Sequence, residues 1–77
     1  MSKYVRTDAQ CQRINNNFVY HAPKDGQQER YVSLRDKARE LAIHIEENTP
    51  PSREQSLAVT NLEDAIFWAN AAIARNE

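Results

Sequence analysis

The pair Pro50-Pro51 constrains this chain most, because it falls between two stretches that both carry helical apolar spacing. Proline lacks a backbone donor and disfavours helical geometry at the residue before it, so no helix runs through Thr49-Pro50-Pro51. Upstream, Tyr31, Leu34, Ala38, Leu41 and Ile45 recur every three or four positions, which predicts a helix over residues 27–48 with one apolar stripe. Ala42 widens that stripe, and Asp36, Glu40 and Glu47 fall on the opposite, solvated side. Downstream, Ala58, Val59, Leu62, Ala65, Ile66, Ala69 and Ile73 give a matching face to a second helix over residues 52–76. The short connection between them predicts an antiparallel hairpin.

Ser52 is placed to cap the second helix, and Gln55, three residues on, completes an S-x-x-Q capping box. At about 100° per residue, Arg53, Ser56 and Thr60 fall within roughly 60° of one another. A guanidinium and two hydroxyls thus share one face near a helix N-terminus, where backbone N–H groups and the dipole favour anions. Arg53, Ser56 and Thr60 are therefore candidate phosphate ligands.

The second helix is apolar on two sides. Beyond its hairpin face it carries Leu57, Phe67, Trp68, Ala71 and Ala74. One hairpin partner covers only one face, and a chain of 77 residues has little else to offer. Leu57, Phe67, Trp68 and Ala71 are accordingly expected to form the interface of a symmetric homo-oligomer.

Residues 1–13 are polar and without periodicity, and read as a flexible tail. Residues 14–26 read as a short extended arm, with Phe18 and Tyr20 on one side, ending in the turn chemistry of Pro23-Lys24-Asp25-Gly26. Tyr20, His21, Lys24, Arg30, Tyr31 and Arg35 set aromatic rings beside basic groups, a combination suited to stacking a base and pairing phosphates, with Tyr31 itself read as core. The predicted fold is all-α: an antiparallel two-helix hairpin domain over residues 14–77, with its arm, assembled into a symmetric homo-oligomer.

Several functions are disfavoured. The formal net charge of −1 gives no broad basic footprint for DNA. Cys11 is the only cysteine, so neither a disulfide framework nor a cysteine metal site is expected, and no cofactor is implied. There is one glycine, no phosphate loop, and no metalloprotease, redox or nucleophile-elbow signature. His21 and His44 are isolated, and the pairs Glu46-Glu47 and Glu63-Asp64 point apart on a helix. The chain reads as a protein that is not an enzyme. It carries no signal-like opening stretch, and its longest apolar run, residues 65–74, is too short to span a bilayer, which reads as cytoplasmic.

The pattern Phe18-x-Tyr20-His21-x-Pro23-Lys24, then Gln28-Glu29-Arg30-Tyr31, then Pro50-Pro51-Ser52-Arg53-Glu54-x-Ser56-Leu57-Ala58-x-Thr60, continuing through Trp68-Ala69-Asn70-Ala71 to Ala74-Arg75-Asn76, resembles a known family. It is similar to the helical hairpin domain shared by phage anti-CBASS and anti-Thoeris sponge proteins, over residues 14–77. The resemblance implies dimers assembled into higher oligomers, often hexamers, in the cytoplasm of an infected bacterial host. It implies an immune-evasion protein that sequesters cyclic dinucleotides and cyclic trinucleotides without degrading them. The R-x-x-S-x-x-x-T block then maps onto Arg53, Ser56 and Thr60 as a trinucleotide pocket between subunits. The dinucleotide pocket maps onto Tyr20 and Arg35, with arginine standing where a lysine is expected, and with Lys24 and Arg30 nearby. The anti-Thoeris relatives carry a further sheet domain with no counterpart in these residues, which leaves cyclic ADP-ribose signals open. A second reading is a small oligomeric adaptor that binds protein through the Phe67/Trp68 face.

Overall fold

The computed structural model describes residues 3–77 and contains three helices and no strand among them: α1 (Asp8–Phe18), α2 (Gln27–Asn48) and α3 (Arg53–Asn76). The chain is all-helical, and α2 packing along α3 is its main helix–helix contact. Tyr31, Leu34, Ala38, Ala42 and Ile45 of α2 meet Ala58, Val59, Leu62, Ile66, Ala69 and Ile73 of α3, each half-buried. Two members of the expected stripes, Leu41 and Ala65, lie exposed at its margins.

The joint between the two helices is stitched by polar side chains. Ser52 Oγ accepts from Gln55 N–H at 3.1 Å, the expected N-cap. The reciprocal half of the capping box is absent, which corrects the sequence expectation. Gln55 instead turns its amide to Thr49 O and Thr49 Oγ1, both at 3.0 Å. The reason is supply and demand at a helix end: the last carbonyls of α2 have no intrahelical donor, and Gln55 provides one. Thr49 Oγ1 donates back to Ile45 O at 2.7 Å, and Asn48 Nδ2 to His44 O at 2.8 Å.

The N-terminal part departs from expectation more strongly. Residues 8–13, read as flexible tail, and 14–18, read as extended arm, form one helix, α1. Its start is a complete capping box: Thr7 Oγ1 accepts from Gln10 N–H, and Gln10 Oε1 accepts from Thr7 N–H at 2.8 Å. The tail reading also covered residues 1 and 2, which lie outside the described residues. Of the expected arm, only the stretch from Val19 to the Asp25-Gly26 turn is non-helical. Gly26 closes that turn with φ of +81°, a left-handed conformation that disfavours any side chain.

Three helices do not make a core here. No hydrophobic side chain among the described residues is fully buried; the one buried residue is Gln27, 3 % exposed. The radius of gyration is 17.4 Å, against about 11–12 Å for a compact domain of this length. The chain exposes 6686 Å², about 1,900 Å² more than a folded monomer of its mass should. Its extents, 52 × 37 × 14 Å, describe a slab one helix thick. Stable domains have at least two packed layers. This one has a single layer, so apolar side chains on both of its faces lack cover.

Candidate nucleotide site

The helices bring together, on one side of the slab, residues that are scattered in sequence. A cavity of about 470 Å³ is walled by Asn17 of α1, by Val19, Tyr20 and His21 of the extended segment, and by Tyr31 and Arg35 of α2. Phe67, Asn70, Ala71, Ala74 and Arg75 of α3 close it. The register of α2 sets Tyr31 and Arg35 four residues apart on one face, and α3 places Phe67, Asn70, Ala71 and Ala74 likewise. The extended segment is pinned beside them: Asn16 Nδ2 donates to Arg75 O at 3.0 Å, and the His21 ring nitrogen Nε2 bonds Asn16 O at 2.8 Å. That pair of bonds joins α1 and the extended segment to the end of α3.

The lining has a consistent chemistry. Three aromatic rings, two arginines, a histidine and two carboxamides face the space, and no lining residue is acidic. Aromatic faces stack bases and guanidinium forks pair phosphate oxygens, so such a site suits a nucleotide. Asn70 Oδ1 is buried without a hydrogen-bond partner. A buried acceptor left so costs roughly 1–3 kcal/mol, which marks this wall as not self-sufficient. Arg35 also borders an apolar groove of about 290 Å³ between α2 and α3, and a third recess beside Pro23 and Val32. Arg35 thus lines three depressions.

Of the residues named from the sequence, the structure unites Tyr20 and Arg35 and separates Lys24 and Arg30 from them. Tyr20 is 85 % exposed and lies at the rim, free to stack. Lys24 and Arg30 line no part of this cavity; they converge on Glu77 at the end of α3. Arg30 Nη1 donates to Glu77 Oε2 at 2.7 Å while Nη2 holds Oε1, a bidentate fork. Gln27 Nε2 donates to the same Oε1 at 3.2 Å, and Lys24 Nζ to Glu77 O at 2.6 Å. The hydrogen bonds from Arg30, then from Gln27, hold the Glu77 carboxyl down to about 2, and Glu77 in turn raises Arg30. Arg53, Ser56 and Thr60 lie exposed along the first turns of α3, and their side chains make no hydrogen bond among the described residues. They belong to the same outer stripe of α3 as Phe67 and Ala71, with Arg53 and Ala71 about 27 Å apart along the axis.

The expected interface residues are open. Phe67 and Trp68 are 60 % and 62 % exposed, with their rings edge-to-face at a centroid distance of 5.3 Å. Leu57 is exposed as well, whereas Ala71 is half-buried in the cavity wall. Sequence reasoning had assigned Phe67 to the interface and Tyr31 to the core, and had passed over Asn70 and Arg75. A signal for Arg75 did exist, since it follows Ala74 on the apolar outer stripe.

The helical hairpin agrees with one comparison. Residues 12–74 match the family described as Acb2/Tad1, hairpin domain. The chain belongs to the Acb2/Tad1 hairpin family. That family comprises anti-CBASS and anti-Thoeris cyclic-nucleotide sponges. Neither a curated protein nor a solved structure matches the chain. The Acb2/Tad1 match begins inside α1 and ends just before Arg75, so it embraces almost every wall of the cavity but not Glu77. Among the described residues no helix is long and apolar enough to cross a membrane, and no group of acidic, histidine or cysteine side chains could hold a metal.

Proposed function

We propose that this protein assembles as a homo-oligomer and sequesters cyclic oligonucleotide second messengers, withholding them from CBASS-type effectors without cleaving them. The observation that carries this reading is the cavity of Tyr20, Tyr31, Phe67, Arg35 and Arg75, free of carboxylates, in a member of the Acb2/Tad1 family. In the cyclic dinucleotide mode, Tyr20 stacks on a base and Arg35 pairs a phosphate. In the cyclic trinucleotide mode, Arg53 pairs phosphates while Ser56 and Thr60 bond phosphate or sugar oxygens, with the set completed by neighbouring copies. A hexamer built from dimers in the bacterial cytoplasm is the assembly this reading favours. Holding a ligand intact needs binding groups alone, and no residue is assigned a catalytic role.

Calorimetry against a panel of cyclic di- and trinucleotides tests it. Wild type is expected to bind, and a charge-assisted contact is worth roughly tenfold to a hundredfold in affinity. Arg35→Ala should lose that factor for dinucleotides only, and Arg53→Ala for trinucleotides only. Denaturing a saturated complex should release intact ligand; linear products would reveal a hydrolase. Binding to nothing in the panel favours the second reading, a protein-binding adaptor, for which the exposed Phe67–Trp68 pair is the specific observation.

A further inference from the structure

The clasp at the open end of the hairpin adds further donors to an exposed ion pair. Four donor atoms from three residues close on Glu77: Gln27 Nε2 and both terminal nitrogens of Arg30 on its side-chain carboxylate, and Lys24 Nζ on its main-chain oxygen. Gln27, the one buried residue, is locked in place because its Oε1 accepts from Lys24 N–H at 2.9 Å. That bond fixes which end of the amide faces outward, and it presents Nε2 as a donor. The charges acting on the Glu77 carboxylate are Arg30 and Lys24, both positive. A guanidinium fork, an ammonium and an oriented amide bind phosphate oxygens as readily as carboxylate oxygens.

We propose that Lys24, Gln27 and Arg30 form a phosphate site of which Glu77 is the resident and displaceable occupant. The two oxygens of the Glu77 carboxylate stand where two non-bridging phosphate oxygens would sit. Glu77 is the C-cap residue of α3, and rotating its side chain about its own torsions leaves the helix backbone in place. The ligand is a phosphoryl group, from free phosphate or from a phosphodiester of a cyclic dinucleotide. Its apparent affinity is reduced by the fraction of molecules in which Glu77 fills the site. The site is separate from the Tyr20–Arg35 cavity and stands independently of the sponge reading.

The test titrates isotopically labelled wild type and Glu77→Gln with inorganic phosphate and with a cyclic dinucleotide, following the amide resonances of Gln27 and Arg30. Glu77→Gln should bind phosphate about tenfold more tightly than wild type, since its competitor is uncharged. Adding Arg30→Gln should abolish the gain. Equal binding by wild type and Glu77→Gln, or a gain that survives Arg30→Gln, overturns the proposal and leaves a structural latch. Should Glu77→Gln lose helicity or assembly, Glu77→Asp keeps the charge on a shorter arm and is expected to gain in the same direction; no gain there also overturns it. Gain for phosphate with no response to the cyclic dinucleotide supports the site and assigns it to free phosphate.

Discussion

At the scale of single residues, Glu77 makes the most specific statement about solution behaviour. Its carboxyl is lowered to about 2 from an ordinary 4.5, first by the Arg30 fork and then by Gln27. A depressed carboxyl contributes stability that is present above its unfolded value and lost as pH falls through its folded value. The window is therefore about pH 4.5 down to about 2. The melting temperature of wild type relative to Glu77→Gln should be higher at neutral pH, and the difference should vanish near the bottom of that window. Both partners are exposed, so the difference is small and shrinks with salt. A difference unchanged across the window would mean that the clasp does not form. Gly26 and Ser52, by contrast, were legible from residue type alone: a left-handed turn wants glycine, and a helix after two prolines wants a hydroxyl cap.

At the scale of elements, α2 and α3 were readable because their apolar spacing is sustained over several turns. Helix α1 was not, although its signals exist. Thr7-Asp8-Ala9-Gln10 is a capping-box sequence, and Cys11, Ile14 and Phe18 recur at helical spacing. Three consecutive asparagines, poor helix formers, and the alternation of Phe18 with Tyr20 made an extended reading attractive. The cap outweighs them locally. Since α1 has little packing to support it, its cap should matter more than usual. Thr7→Ala should cost about 1 kcal/mol, confined to this helix. Amide exchange should rise across residues 8–18 and stay unchanged in α2 and α3; uniform loosening of all three helices would show that α1 is integral to the hairpin. The site residues were legible in part for the same reason. Tyr20 and Arg35 advertised their chemistry, while Asn70, Arg75 and Phe67 became neighbours of theirs only through the pairing of α3 with α2 and the return of the extended segment.

At the scale of the whole molecule, a single layer of helices leaves a large account of apolar surface uncovered. Total accessible surface exceeds that of a compact monomer by about 1,900 Å² per chain, against roughly 800 Å² that each partner gives to a standard interface, which is room enough for the several neighbours of the proposed homo-oligomer. Binding of identical copies stabilises only the folded form, which makes the melting temperature depend on protein concentration. Wild type should therefore sediment well above the 8.9 kDa of one chain and melt higher as concentration rises. Trp68 is the sharpest probe, because it is exposed yet does not line the Tyr20–Arg35 cavity. Trp68→Asp places a charge on the surface to be buried, and should yield a smaller species with a lower melting temperature. Ligand binding should fall with it only where a site is shared between subunits, which separates the Arg53/Ser56/Thr60 cluster from pockets complete within one chain. A wild-type chain that sediments as a folded monomer, melting at one temperature whatever its concentration, would mean that the slab stands alone.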